Sequence, residues 1–414
     1  MLIVVYLIHT SYFKEVFMKR SFSLVILILL IFTLFGCDNG TNVSLPDVSG
    51  ETSEENSLPE SSLPAEESEE ASEEASEEAI EEVSEEESEE VSEEVSEEES
   101  VPDVSVPDEE VSTPPVVSKG EAVFLETGFV LYGGAAYTQS YFSSYNAPRY
   151  AAVYEQYASS FPDTRINVII APLASITILD TAVSSRMSSQ SKLLDNMEAA
   201  ITGDVNFVNL KNVYVRHAEE YLFFKSDHHW THRGAYYAYS EFVKSVGLTP
   251  TPIEEFEVKI LRENFIGTMY SFTGDERVKY YYDTVEAYMP KKACTMTIYD
   301  KNATNVVSKY DTCVVTSIKN YSAFIAGDHP YMVINVPEND QDKSILVIKD
   351  SYGNAFVPYL TEHYGNIIVI DPRHTDINVC EKLGEYGLDD IVFLVNSSMG
   401  NTGAWCDYFA KLIK

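Results

Sequence analysis

The chain has no Cys-x-x-Cys pair, no His-Glu-x-x-His run, no glycine-rich phosphate loop and no basic stripe. The first two absences remove the spacings by which zinc ribbons and zinc peptidases hold their metal. The other two argue against phosphate cradling and against nucleic acid as a partner. Positive charge is scarce throughout: 28 Lys and Arg stand against 66 Asp and Glu, a formal net charge of −38 over 414 residues. That acidity is local. Residues 41–118 hold 29 of the acids and no base, which leaves 37 acids against 28 bases elsewhere, a net of only −9. The headline charge therefore says little about what the rest of the chain binds.

Ser-Glu-Glu-Ala/Val units recur from Ser68 to Glu99, flanked by Pro-Asp-Val-Ser-Val-Pro and Thr-Pro-Pro. Like charges and few large apolar groups cannot bury a core, so residues 38–118 are expected to be a disordered, self-repelling acidic linker. A spacer through the cell wall is the plain reading; a calcium- or partner-binding tail is the sharper one. Before it, Met18-Lys19-Arg20 leads into an apolar stretch from Ser21 to Phe35 and then Gly36-Cys37. The stretch is short for a membrane span and stops at a cysteine, as a lipoprotein signal does. Residues 1–37 are thus expected to be a signal segment, with Met1 or Met18 as the start and Cys37 carrying the lipid. An uncleaved transmembrane anchor is the alternative. Either reading places the remainder extracytoplasmic and held at the membrane.

From residue 119 to 414 the composition is that of one sizeable folded domain. Arg165–Ala171 reads as a buried strand stopped by Pro172, Met187–Ile201 as a helix ended by Gly203, and Val205–Leu210 as a strand. Thr231 is a candidate N-cap for a helix in which Ala235, Ala238, Phe242 and Val246 recur at helical spacing. Strands at Ile345–Ile348, Ile367–Ile370 and Ile391–Val395 alternate with helices from Asn354 and near Asp376–Tyr386. That alternation predicts a parallel sheet with helices on both faces. Residues 255–340 are less regular and suggest a β-rich insertion, a candidate substrate wall. Of the five cysteines, Cys294, Cys313, Cys380 and Cys406 fall in this domain. An extracytoplasmic site permits disulfides, and Cys294 with Cys313 flanks two strand-like runs, but spacing leaves their pairing open.

The chemistry concentrates in two motifs. Ser351, in Lys349-Asp350-Ser351-Tyr352-Gly353-Asn354, follows a buried strand and opens a helix, which holds a side chain at the carboxyl edge of a sheet. A serine hydroxyl becomes a nucleophile when an imidazole takes its proton and a carboxylate orients that imidazole. Upstream, Ser226-Asp227-His228-His229-Trp230-Thr231 offers both groups. The competing reading makes Asp227, His228, His229 and His232 metal ligands, although no second acidic cluster supports it; no metal and no cofactor is expected. Trp230 is expected to pack beneath its own turn.

Asp-His-His-Trp-Thr, followed by Gly234-Ala235-Tyr236-Tyr237-Ala238-Tyr239 and by Ile-Lys-Asp-Ser-Tyr-Gly-Asn downstream, resembles the bacterial DHHW family. That family is similar to the SGNH-like alginate O-acetyltransferases of the AlgX and AlgJ type, whose Asp-x-His-Trp motif precedes the serine, a permuted order relative to GDSL esterases. The resemblance covers roughly residues 120–412. It implies an SGNH-hydrolase-like three-layer α/β fold, Asp227 as orienting acid, His229 as base and Ser351 as nucleophile. Lys349 departs from the usual Gly-Asp-Ser. Arg373, in Ile370-Asp371-Pro372-Arg373, looks like an arginine that lies near the active site in the alginate enzymes; the alternative is a loop arginine paired with Asp371 or Asp376. Asn354 either caps the following helix or contacts an oxyanion.

The resemblance implies an O-acetyltransferase acting on a cell-surface or exported polysaccharide, supplied by a membrane acyl-exporting partner. An acetylesterase of the same mechanism and a non-catalytic glycan-binding envelope lipoprotein are the alternatives.

Overall fold

A computed structural model describes residues 120–139, 144–383 and 387–414, all within the unit Asp103–Lys414. The expected signal segment, Cys37 and the whole acidic linker fall outside the described residues, as does the end of the helix expected up to Tyr386. Among the described residues no helix is long and apolar enough to cross a membrane.

The strands in chain order are β1 Val123–Phe124, β2 Phe129–Tyr132, β3 Ala135–Thr138, β4 Arg165–Ala171, β5 Val205–Val208, β6 Glu257–Phe265 and β7 Asp283–Met289. They continue with β8 Thr295–Tyr299, β9 Val306–Tyr310, β10 Tyr331–Asn335, β11 Ser344–Lys349, β12 Asn366–Ile370 and β13 Asp390–Asn396. Eight of them form one mixed sheet in the order β5-β4-β13-β11-β12-β10-β8-β9. The fold is mixed α/β.

The first five strands of that order are mutually parallel. Every residue of β11 is buried, so neither of its faces meets water. A strand covered on both sides gains nothing from alternating polarity, which is why Ile345-Leu346-Val347-Ile348 reads as an unbroken apolar run. The expected all-parallel sheet is corrected at its other end. There β10 runs antiparallel to β12, β8 antiparallel to β10, and β9 antiparallel to β8. Part of the supposed insertion is therefore sheet, with Met332 pairing Val369 and Ile298. Within that stretch β6 and β7 stand apart as a two-stranded ribbon broken by two register shifts, and β1, β2 and β3 form a separate three-stranded antiparallel sheet.

Local signals set the elements that reach the site. Thr231 caps the helix His232–Ser245 as expected, its hydroxyl accepting the Gly234 N–H at 3.1 Å. Ala235, Ala238 and Phe242 are fully buried along one face of that helix. Ser189 caps the helix Gln190–Ala200, three residues later than the sequence pattern began. After β11 the chain passes through Asp350–Tyr352 into a short helix, Gly353–Phe356, and then a 3₁₀ segment, Val357–Glu362. Gly353 is required there: a Cβ at this position would sit 2.6 Å from Lys349 Cβ. No disulfide joins the described cysteines: Cys294, Cys313, Cys380 and Cys406 are all free.

Candidate active site

The structure brings Asp227, His229 and Ser351 together although 122 residues separate the last two. His229 Nε2 lies 2.8 Å from Ser351 Oγ, and His229 Nδ1 lies 2.7 Å from Asp227 Oδ1. The serine sits past the carboxyl end of β11, where a parallel sheet presents its loops. Asp227 and His229 are buried, at 4% and 7% exposure, so their interaction is little screened.

Asp227 is held by more than the imidazole. Its Oδ1 also accepts the His229 N–H at 3.1 Å, and its Oδ2 accepts the Thr268 N–H at 3.0 Å and hydroxyl at 3.1 Å. Burial alone would raise its carboxyl. The hydrogen bond and charge of His229, then His228 and the Thr268 N–H, outweigh that and hold it well below the usual carboxylate range. It is an anion at neutral pH. Gly267 permits the approach of Thr268, since a Cβ there would fall 2.3 Å from Asp227 Cβ.

A second carboxylate fixes the loop that carries the motif. Asp283, the first residue of β7, accepts the Lys225 N–H at 2.8 Å and the Ser226 N–H at 2.8 Å. It also accepts the Ser226 and Tyr221 hydroxyls, both at 2.6 Å. The ribbon expected as a substrate wall thus anchors the Asp-x-His turn. Trp230 does what its position suggested: fully buried, it donates from Nε1 to the Tyr352 carbonyl at 2.9 Å, tying the two motifs together.

The turn of Ser351 is equally constrained. Asp350 accepts the Tyr352 N–H at 2.9 Å, and both the backbone and side-chain N–H of Asn396 at 2.7 Å. The Gly353 N–H goes to the Asp350 carbonyl and the Asn354 N–H to the Ser351 carbonyl. The Ser351 N–H has no partner among the described residues.

Asn354 does not cap the helix; Tyr352 occupies the cap position and Asn354 lies inside the first turn. Its Nδ2 donates to Asp328 at 3.0 Å, and its buried Oδ1 has no partner. Arg373 donates to Asp371 at 2.9 Å and to Asp328 at 2.8 Å, while Asp376 pairs with Lys411 instead. Asp328 also accepts Lys349 Nζ at 2.8 Å. Burial would raise the Asp328 carboxyl, but the Lys349 and Arg373 cations keep it well below its usual range. Sequence reasoning missed Asp328, Thr268, Asp283 and Tyr321, whose ring lies flat on His229. None carries a motif, and each meets the site through chain-distant partners.

Ligand atoms of Asp227, His228 and His229 lie within 4.8 Å of one another, close enough to hold a metal ion. Their donors are otherwise engaged. Both His229 nitrogens serve Asp227 and Ser351, and His228 Nδ1 bonds the Thr268 hydroxyl at 2.7 Å. His232 is not part of the group: its Nδ1 accepts the Tyr288 N–H at 2.9 Å and its ring packs on Phe324 and Tyr359. The donor set does not suit a metal. Chelation with EDTA is expected to leave activity unchanged, and His228→Ala to cost only a few-fold; silencing by EDTA with rescue by zinc would contradict this.

Burial pushes His232 down to about 3 and His363 to about 4. His228 also falls to about 4, through burial and then the neighbouring His229. An unfolded chain protonates these groups near 6.5, whereas the native state refuses the proton. Their stabilisation is therefore full above 6.5 and is lost as pH falls from there toward 4. Thermal unfolding followed from pH 7 to pH 4 should show the midpoint dropping across that window. A flat midpoint would contradict neutral burial.

The sequence profile of the DHHW protein family matches residues 46–370, well over half of the chain. The chain belongs to the DHHW family. A DHHW family protein from Eubacterium siraeum has a similar fold, at 22% identity and a TM-score of 0.64 over 70% of this chain and 96% of that one. PatB1 of Bacillus cereus, solved with a sulfonyl adduct, matches at 15% identity and a TM-score of 0.53 over 68% of this DHHW chain and 97% of its own. The O-acetyltransferase domain of Pseudomonas putida AlgJ is a more distant likeness, at 11% identity and a TM-score of 0.37, covering 70% and 98%. No curated protein sequence matches the chain.

Proposed function

We propose that this DHHW protein is a serine acyl-transfer enzyme, an O-acetyltransferase of a cell-surface polysaccharide built on an SGNH-like three-layer fold. The observation that carries the reading is the unbroken series from Asp227 through His229 to Ser351 Oγ, with links of 2.7 and 2.8 Å. In the proposed cycle, His229 Nε2 takes the Ser351 proton as Oγ attacks the acetyl carbonyl. Asp227 keeps the proton on Nδ1 and steadies the imidazolium. The unpartnered Ser351 N–H is the donor best placed for the oxyanion. His229 returns its proton to the departing oxygen, leaving an acetyl-serine; it then takes the proton of a glycan hydroxyl as that oxygen attacks the acetyl carbonyl, and gives it to Ser351 Oγ as the acetyl-serine ester bond breaks. Arg373 and Asn354 stand beside this centre, joined through Asp328.

The proposal includes its setting: a lipid on Cys37, a linker to residue 118, and a catalytic domain from 119 held beside its polymer. Fatty-acid labelling lost in Cys37→Ser tests the tether. A membrane acyl-exporting partner would supply the acetyl group.

The reaction is tested by incubating the protein with an acetyl-ester donor and candidate wall glycans, then weighing the glycans by mass spectrometry. Acetylated glycan that requires Ser351 supports transfer. Free acetate with no acetylated glycan across the panel would make the protein an esterase, and no acetate at all would favour the non-catalytic binder.

A further inference from the structure

Tyr321, outside the sequence motifs, touches both the base and the nucleophile's turn. Its ring lies parallel to the His229 imidazole, with centroids 3.8 Å apart and planes 8° apart. Its hydroxyl donates to the Ser351 carbonyl at 3.0 Å and to the Tyr352 carbonyl at 3.2 Å. The other side of the imidazole is occupied by His228, tilted by 38° at 3.8 Å. The base is thus held between two rings.

Tyr321 is itself fixed from several directions. It begins a 3₁₀ turn, Tyr321–Ala323, capped by Asn320, whose side chain accepts the Ser322 N–H at 2.9 Å. The Val315 N–H bonds the Ala323 carbonyl and the Ile325 N–H bonds the Cys313 carbonyl, both at 2.8 Å. Phe224 and Phe324 each meet its ring in an edge-to-face contact. Just beyond, Ile325 and Ala326 adopt φ of 48° and 59°, a left-handed conformation that costs a β-branched residue energy. That bend separates Tyr321 from Asp328, so one short loop serves both the base and the Lys349–Arg373 cluster.

We infer that Tyr321 is a positioning residue for the base, its ring face holding His229 in line with Ser351 and stabilising the imidazolium that forms during proton transfer. The inference rests on the proposed acyl-transfer reading. An aromatic face attracts a cation lying over it, more strongly where water is excluded, and Tyr321 is 6% exposed. A neutral imidazole gains little from the same contact, so the ring favours the charged state that catalysis passes through. His228, kept neutral by burial and by His229, adds no opposing charge on the other face.

The test compares wild type, Tyr321→Phe and Tyr321→Leu for kcat and KM on a small acetyl ester, with the melting temperature of each. Tyr321→Leu should lower kcat by roughly 3- to 30-fold with KM nearly unchanged. Tyr321→Phe, which keeps the ring and drops the hydroxyl, should recover kcat to within about threefold of wild type. If Tyr321→Leu does not fold, Tyr321→Met supplies the non-aromatic comparison. A non-aromatic variant with wild-type kcat overturns the inference, as does a Phe variant as slow as Leu. A wild-type protein with no Ser351-dependent turnover would instead defeat the acyl-transfer reading.

Discussion

Asp227→Asn is expected to leave the protein folded and to lower acetyl-ester turnover by roughly 10⁴-fold. An amide oxygen in the Oδ2 place can still accept from the Thr268 N–H and hydroxyl, which keeps the loop tied there, while the amide NH2 in the Oδ1 place gives up the His229 backbone N–H and cannot accept from Nδ1. The larger loss is the negative charge. Without it, Nδ1 need not carry the proton, and the wrong tautomer turns a donor rather than an acceptor toward Ser351. Asp227 stays ionised far into acid, so its own protonation should not set the acid limit of activity. Circular dichroism and a chromogenic ester assay on the same preparation separate folding from turnover. Wild-type turnover in folded Asp227→Asn would remove Asp227 from the mechanism.

Lys349→Met is expected to lose about 3–5 kcal/mol of stability, the usual cost of removing one partner from a buried ion cluster. Lys349 is fully buried two residues before the serine, with Asp328 at 2.8 Å and the fully buried Asp371 at 3.7 Å. Methionine fills similar space but leaves Arg373 as the remaining cation for both carboxylates. Asp328 would then hold Asn354 less firmly, and the helix after Ser351 should loosen. Denaturant unfolding measures the loss. A change under 1 kcal/mol would mean that the cluster balances its own desolvation without Lys349.

What the sequence disclosed follows from which interactions are local. Strand β11 was legible because burial on both faces leaves a run such as Ile345–Ile348 with no polar interruption. Thr231 was legible because an N-cap is a contact across three residues. The direction of β10 was not, because Tyr331–Asn335 has the composition of any short strand and only its pairing with β12 fixes its sense. Asp328 was invisible for a similar reason: its partners Lys349, Asn354 and Arg373 lie 21, 26 and 45 residues away. Tyr321 was hidden by number, one of 28 tyrosines with no spacing to mark it. The motif residues were read from a pattern, and their meeting in space came only with the fold.

The most direct measurement is covalent labelling with an aryl sulfonyl fluoride, suggested by the sulfonyl adduct of PatB1. An activated serine displaces fluoride to form a sulfonate ester, its proton passing to the base, and peptide mass spectrometry locates the added group. The account predicts a single adduct on Ser351 in wild type, slowed by orders of magnitude in His229→Ala and absent in Ser351→Ala. Labelling of Ser351 at the same rate in wild type and folded His229→Ala would contradict it.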